Sequence, residues 1–243
     1  MNYEKTTVIR EGKSKILYQT ADGNHIIQYF KDDATAFNAL KKGQIKNKGL
    51  INNQVSSSVF QYLEKNGIKT HFVSHQSERE MVCKKLEIIP VEVVVRNRAA
   101  GSIVKRLGLE KGQPFIPPLV EWFYKSDELG DPLIAESHIS YFKWATESEL
   151  TQLREISLKV NTLLKSVFDQ IDLELIDFKL EFGRDGKGNV LLGDEFTADG
   201  CRLWDKKTNE SMDKDRFRQD MGKVDEAYFE VSERLKNFFK GKL

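Results

Sequence analysis

Cysteine is nearly absent, with Cys83 and Cys201 the only two in 243 residues. They are far apart and form no Cys-x-x-Cys, so neither a disulfide scaffold nor a structural zinc site finds support. The four histidines (His25, His71, His75, His138) show no metal-ligand spacing and read as surface or structural residues. An excess of one charge is missing as well. Lys and Arg number 38 against 37 Asp and Glu, a net charge of +1, so no global field gathers nucleic acid or an anionic membrane, and any anion site must be built locally. No apolar run approaches the roughly 20 residues that span a bilayer. Met1 to Lys5 carries no apolar signal core, and a cytoplasmic protein with no nucleic-acid or membrane partner is expected. Internal repeats and low-complexity tracts are absent too. What remains is an ordinary globular composition, in a chain between one large domain and two modest ones.

One stretch organises the rest, Ile176 to Trp204. Ile176, Phe178, Leu180 and Phe182 alternate with Asp177, Lys179 and Glu181, which is the period of a strand with one face on a core. The polar face carries an acid, a base and an acid in one row. A glycine-rich turn with Asp185-Gly186 follows, then Val190 to Leu192 begins a return strand running into Gly193-Asp194-Glu195, so the segment reads as a hairpin. It delivers Glu181 and either Asp194 or Glu195 to one place; the turn is too long to fix which. Two such carboxylates suit Mg²⁺, which takes few protein ligands and keeps waters and phosphate oxygens. The competing reading is a hairpin whose charged face is merely solvated. Thr197 to Asp205, a second turn dense in charge and ending in Arg202 and Trp204, argues against it.

Earlier in the chain, Val8 to Tyr18 reads as two short strands joined at Glu11-Gly12-Lys13, with a third over Ile26 to Phe30. Lys13 and Lys15 flank Ser14, so both are expected on one face. A strand-turn-strand with a glycine and two lysines resembles the phosphate-covering loop of kinases more than a Walker loop, whose first glycine is missing here. An edge strand guarded by lysines is the other reading. Lys31 to Asn38 and Lys46 to Gly49 look like long polar loops. A helix is expected over Leu50 to Asn66, with Gly67 as its stop, and strands over Ile68 to Val73 and Met81 to Leu86. Leu86 to Pro90 reads as a connector and a domain boundary, dividing the chain into 1–87 and 88–243, because Pro90 cannot donate to a ladder. Val91 to Val95 is a β-branched strand. It feeds Arg96 to Ser102, where Ser102 would cap a short helix ending at Gly108; free N–H groups there beside Arg96 make a phosphate site, unless the two arginines are simply solvated. Pro114 to Pro118 and Asp127 to Pro132 look like surface excursions. Thr146 to Glu149 is a capping box opening a helix with Leu150, Leu153, Ile156, Val160, Leu163, Leu164 and Val167 on its core face. The tail from Asp213 reads as helical, broken at Gly222.

Together these segments resemble the phosphoribosylaminoimidazole-succinocarboxamide synthase (SAICAR synthetase) family of purine biosynthesis. The residues carrying the likeness are Glu11 to Lys15, Pro90 to Ser102, Asp177 to Gly183, Gly193 to Phe196, Asp199 to Asp205 and Met212 to Arg218. The resemblance implies an α+β fold, with two antiparallel-sheet lobes, packed helices and an ATP cleft between them. It implies an ATP- and Mg²⁺-dependent ligase that joins L-aspartate to carboxyaminoimidazole ribonucleotide (CAIR) through an acyl phosphate, and a homodimer. Carried over by position, Gly12, Lys13, Ser14, Lys15, Lys125, Glu181 and Asp194 would bind ATP, with Lys84 and Leu86 at the adenine hinge. Glu181 and Asp194 would hold Mg²⁺. Arg96, Ser102 and Arg202 would clamp the CAIR phosphate. Asp177 and Lys179 would contact CAIR and are the candidate catalytic pair. For the aspartate pocket only Asp32 to Asn38 and Lys48 to Asn53 are candidates. Rival readings are a small-alcohol kinase, a nucleotide-binding regulatory module, and an RNA-binding domain using Arg96, Arg98, Lys105 and Arg106.

Overall fold

Two antiparallel sheets divide the strands of the chain, and a computed structural model describes residues 3–36 and 40–243 of it. The first sheet begins as a meander of β1 (Lys5–Glu11), β2 (Lys15–Thr20) and β3 (His25–Phe30). Next come a separate hairpin, β4 (Asp33–Ala36) with β5 (Lys41–Gln44), and helix α1 (Lys48–Lys65). The chain then returns through β6 (Phe72–Ser77) and β7 (Glu80–Lys84), giving the order β1-β2-β3-β7-β6. The second sheet starts at β8 (Glu87–Arg98), followed by α2 (Ser102–Leu107), β9 (Pro114–Tyr124), β10 (Leu133–Ile134), α3 (Glu136–Tyr141) and α4 (Glu147–Asp169). Last come β11 (Leu173–Arg184), β12 (Val190–Gly193), β13 (Cys201–Asp205), α5 (Asp215–Arg218) and α6 (Val224–Phe239). Its order is β10-β9-β8-β11-β12, with β13 also paired to β11.

Register explains why β11 is central. Phe178 and Leu180 lie opposite Val95 and Val93, while Asp177, Lys179 and Glu181 lie opposite Arg96, Val94 and Glu92. Alternation therefore stacks apolar residues on one face and doubles the polar row on the other. The apolar face packs with α4, whose Leu150, Leu153, Val160, Leu164 and Val167 are buried. Thr146 and Glu149 form the expected capping box at its start. No helix among the described residues is long and apolar enough to cross a membrane.

Several expectations need correction. Asp33 to Gln44 holds a short hairpin rather than a continuous loop; strands of four residues without apolar alternation leave no periodic signal. Phe37 and Asn38 lie outside the described residues. Helix α1 begins at Lys48, so Lys48 to Asn53 is its first turns and not a loop. The Asp32 carboxylate accepts from the Gly49 amide at 2.8 Å while Arg79 holds it at 2.7 and 2.9 Å, satisfying one orphan donor at the helix start. Leu86 to Pro90 is no connector beyond Leu86, because β8 already starts at Glu87. Pro90 is accommodated where the β8–β11 register slips, between the pairs Glu181–Glu92 and Gly183–Ile88. Pro114 to Pro118 is likewise strand. Beyond β8, β9 is paired only at Trp122 and Phe123, which leaves an open edge where prolines cost no ladder bond. Residues 201–205 form β13 rather than a turn. Ser102 is the first helical residue of α2, and its cap is Gly101.

Candidate active site

The acids of the row on β11 are buried, not solvated: Asp177 and Glu181 are each 3% exposed, with Lys179 half-buried between them. At one end of the row Asp177 is the hub of an arginine pair. Arg96 donates to it at 2.7 Å and Arg202 at 3.0 Å. Arg96 is further held by Glu121 at 2.6 Å, and Arg202 by Asp215 at 2.8 Å. Burial works against the Arg202 charge, but Asp177 and Asp215 more than offset it and hold its pKa above the ordinary value. The two guanidiniums are thereby fixed in direction before any anion arrives. Gly101 makes room for this. Its φ of 65° and ψ of −138° suit only glycine, and a Cβ there would lie 2.5 Å from an Arg202 nitrogen.

At the other end Glu181 takes Lys179 on Oε1 and Lys125 on Oε2, both at 2.6 Å. The register question is resolved by β12. Glu181 pairs with Gly193, and Asp194 follows at φ 59°, a left-handed backbone that asparagine and aspartate tolerate. This break in alternation lets both Asp194 and Glu195 meet the Lys15 ammonium. Lys179 also reaches Glu92 at 2.8 Å and Asp194 Oδ2 at 3.7 Å, so one ammonium touches both candidate metal carboxylates. Burial and the Asp194 charge push the Glu181 pKa up, but Lys179, Lys125 and Lys15 prevail and hold it below the usual range. For Asp194 burial is likewise outweighed by Lys15 and Lys179, and its pKa falls. Burial raises Glu92, which Lys179 only partly opposes. The pair Glu181 and Asp194 thus already holds positive charge with oxygen donors alone, the chemistry a hard divalent cation needs. Among the described residues no group of three or more His, Cys, Asp or Glu side chains is arranged to hold a metal.

The glycine loop closes through Gly12 N–H to Lys15 C=O at 2.9 Å, and Ser14 C=O accepts from Lys31 N–H at 2.8 Å. Lys13 and Lys15 part company: Lys13 pairs with Asp127 at 2.6 Å, while Lys15 enters the carboxylate cluster. Lys84 is exposed, and its amide donates to His71 C=O at 2.7 Å. Leu86 is half-buried against Gly183 and Gly193, where any side chain would collide with it. Ser102 is exposed, and its hydroxyl meets only Arg106, at 3.5 Å. The basic patch is partly neutralised, with Arg98 on Glu174 at 2.7 Å and Arg106 on Glu121, while Lys105 is exposed. A cavity of about 350 Å³ opens beside the row, lined by Arg96, Asp177, Lys179 and Arg202, and also by Asp199, Lys214 and Arg218.

Those last three carry the family likeness in sequence but receive no role from it, and of the buried cluster behind them only Lys48 and Asn52 stood as candidates, for the aspartate pocket. Asp199 accepts from Lys48 at 2.6 Å, Asn52 at 3.2 Å and the Tyr228 hydroxyl at 2.7 Å. Its signal was faint, since the partners stand some 30 to 150 positions away. Gln28 was missed as well; 1% exposed on β3, it donates to the Asp194 carbonyl at 3.3 Å and ties the first sheet to the second.

Comparison with known proteins identifies the family. The family model described as SAICAR synthetase matches residues 8–235. A phosphoribosylaminoimidazole-succinocarboxamide synthase of Zymomonas mobilis subsp. mobilis is 53% identical over 230 residues, 93% of this chain and 89% of that protein. The crystal structure of the synthase from Ehrlichia chaffeensis matches with a TM-score of 0.93 at 46% identity, covering 95% of this chain and 98% of that one. A SAICAR synthetase solved in complex with ADP matches at 0.91 and 45% identity, covering 94% and 97%. The chain belongs to the SAICAR synthetase family.

Proposed function

We propose that the protein is an ATP-dependent ligase that joins L-aspartate to CAIR, giving SAICAR, ADP and phosphate. The observation that carries this reading is the row on β11, which links a preset arginine pair at Asp177 to a lysine-ringed carboxylate pair at Glu181 through the single ammonium of Lys179. One end suits a sugar phosphate and the other a metal-bound triphosphate, so two anionic substrates meet along one strand.

Lys13, Lys15 and Lys125, each now paired with an acid, would turn to the ATP phosphates. Gly12 and Ser14 would cover them, and Lys84 to Leu86 would border the adenine. Arg96 and Arg202, with Ser102 at the start of α2, would hold the CAIR phosphate. Asp177 and Lys179 would orient the ribose and the carboxylate to be activated. Glu181 and Asp194 would hold Mg²⁺, which when bound neutralises charge on the triphosphate. In the first step the CAIR carboxylate oxygen attacks the γ-phosphorus and the bond to ADP breaks. In the second the aspartate amine attacks the acyl carbon, sheds its proton and expels phosphate. Lys179 would offset charge in both. A kinase acting on an alcohol would need a free base in the cavity, where Asp177 is held by two arginines, Asp199 by Lys48 and Glu92 by Lys179, which leaves Asp131 as the one lining carboxylate without a cation among the described residues.

The proposed division into lobes 1–87 and 88–243, with ATP between them, is supported by the split of the two sheets, although that split falls between β7 and β8, before Glu87. A cytoplasmic homodimer completes the reading. Tyr141 and Phe142, 79% and 57% exposed, are two of several exposed large apolar groups that support a partner surface. The deciding experiment measures ADP release with each substrate omitted in turn. ADP is expected at full rate only with CAIR and aspartate together; full-rate release with CAIR alone would mean a kinase or an ATPase.

A further inference from the structure

Lys15 meets two acids at once, Asp194 and Glu195, which the left-handed backbone at Asp194 turns towards one ammonium. With Asp194 given to the metal, Glu195 is left without a task. The surroundings of the two acids differ. Asp194 Oδ2 lies 3.7 Å from the Lys179 ammonium, which Glu181 holds at 2.6 Å, so Asp194 and Glu181 share one charge cluster. Glu195 pairs with neither Lys179 nor Lys125. Among the described residues Lys15 is its one cation and its one side-chain hydrogen-bond partner, although the side chain is only 11% exposed.

The backbone fixes Glu195 from both sides. The Asp194 carbonyl before it accepts from Gln28 on β3 at 3.3 Å. The Phe196 amide after it donates to the hydroxyl of Ser56 on α1, a fully buried residue, at 3.2 Å. Phe196 itself packs on Phe168 and Phe178, with ring centroids 6.1 and 5.9 Å away. Lys15 is less constrained. It is the first residue of β2, and only its backbone is tied into the glycine turn, by the Gly12 N–H at 2.9 Å. A long ammonium side chain keeps many rotamers unless a fixed acid selects one.

We propose that Glu195 is a positioning residue, which holds Lys15 at the triphosphate once Asp194 has passed to the metal. This rests on the nucleotide half of the ligase reading. With a divalent ion on Glu181 and Asp194, the Lys15 ammonium loses one of its two counter-charges and is repelled by the ion. Glu195 then keeps it from swinging into solvent. An ammonium has three donors, so one on Glu195 leaves two for phosphate oxygens. The adjacent acids thus divide the work, and only one of them touches the metal.

The test titrates Mg²⁺ and a non-hydrolysable ATP analogue onto the whole chain, so that no turnover is needed. In Glu195→Gln the dissociation constant of the analogue at saturating Mg²⁺ should rise at least about tenfold. The Mg²⁺ concentration for half-maximal binding should stay within about twofold of wild type. Lys15→Met should weaken the analogue in its own right, and adding Glu195→Gln to it should cost no further affinity, because Glu195 acts only through Lys15. The double chain should also melt above Lys15→Met, which leaves Glu195 buried without its cation. Unchanged analogue affinity in Glu195→Gln would overturn the assignment. A raised Mg²⁺ requirement would overturn it too and make Glu195 a metal ligand, and a further loss in the double chain would make it a general prop of the fold. If Glu195→Gln alone does not fold, the double chain against Lys15→Met decides by the same readings. A wild type that binds the analogue yet forms no product from CAIR and aspartate defeats the ligase reading and leaves the role of Glu195 standing. A productive wild type whose analogue affinity survives Glu195→Gln defeats only that role.

Discussion

Replacing Glu181 by glutamine separates what this carboxylate does for the fold from what it does for the chemistry. Each of its oxygens now accepts from one ammonium at 2.6 Å, Lys179 on one side and Lys125 on the other. An amide can offer its oxygen to only one of them and turns its own donors towards the second. Lys179 still has Glu92 at 2.8 Å, and Lys125, 28% exposed, can turn to water. The folded state therefore loses about one charge-assisted hydrogen bond, softened by that exposure, or about 1–2 kcal/mol. In a chain of this size that is about 2–8 °C in Tm. The catalytic loss should be far larger. Removing one of two metal carboxylates and a preset charge at the phosphoryl acceptor should lower kcat by about 10²-fold or more and raise the Mg²⁺ concentration for half-maximal rate. The assay is steady-state ADP release against Mg²⁺, beside a thermal melt of the same sample. Turnover within threefold of wild type at an unchanged Mg²⁺ requirement would refute the reasoning. So would a chain unfolded at room temperature, which would make Glu181 a structural anchor.

Gly101→Ala forces a Cβ against an Arg202 that Asp177 and Asp215 hold in place, in a backbone conformation suited only to glycine, so the CAIR KM should rise at least about tenfold with the ATP constant little changed. Equal loss for both substrates would show that the damage is global. Arg202→Met should likewise act on CAIR affinity first, and an unchanged CAIR constant removes that residue from the phosphate clamp. Glu149 is pulled down to a pKa of about 2, by Arg184 first and then by the Thr146 cap against the opposing effect of burial. A lowered carboxylate pKa gives stability that is present above the unfolded value of 4.5 and lost as the pH falls from there towards about 2. Glu149→Gln should therefore cost about 1–2 kcal/mol at neutral pH, and the gap from wild type should close below pH 4.5 in denaturant melts. A gap independent of pH would contradict this.

The row Asp177-Lys179-Glu181 was legible because a strand with one apolar face writes itself as strict alternation, and because an acid-base-acid face has no solvation reason to exist. The second carboxylate was legible only as a choice between Asp194 and Glu195. The left-handed backbone at Asp194 turns both towards Lys15, and no periodicity records a single φ. Capping boxes and glycine stops placed α4 and the end of α1 closely, because those signals act within one turn. The β4–β5 hairpin and the proline-bearing parts of β8 and β9 were invisible for the opposite reason. Their strand character comes from the neighbour they pair with, and a bulge or an open edge removes the proline penalty that sequence reasoning assumes. The pairing of Asp199 with Lys48 and Tyr228, and the place of Lys214 and Arg218 on the cavity wall, were hidden by sequence distance, since charges that meet across half the chain leave no local pattern.

The central claim is that Glu181 and Asp194 share a divalent ion with the triphosphate. It is tested most directly by a crystal of the protein grown with Mn²⁺ and a non-hydrolysable ATP analogue, read by the anomalous signal of the metal. The expected peak lies between the Glu181 and Asp194 carboxylates and touches the phosphate chain, with Lys15 turned from Asp194 to the phosphates. A metal bound elsewhere, with Lys15 and Lys179 still bridging the two acids, would contradict it.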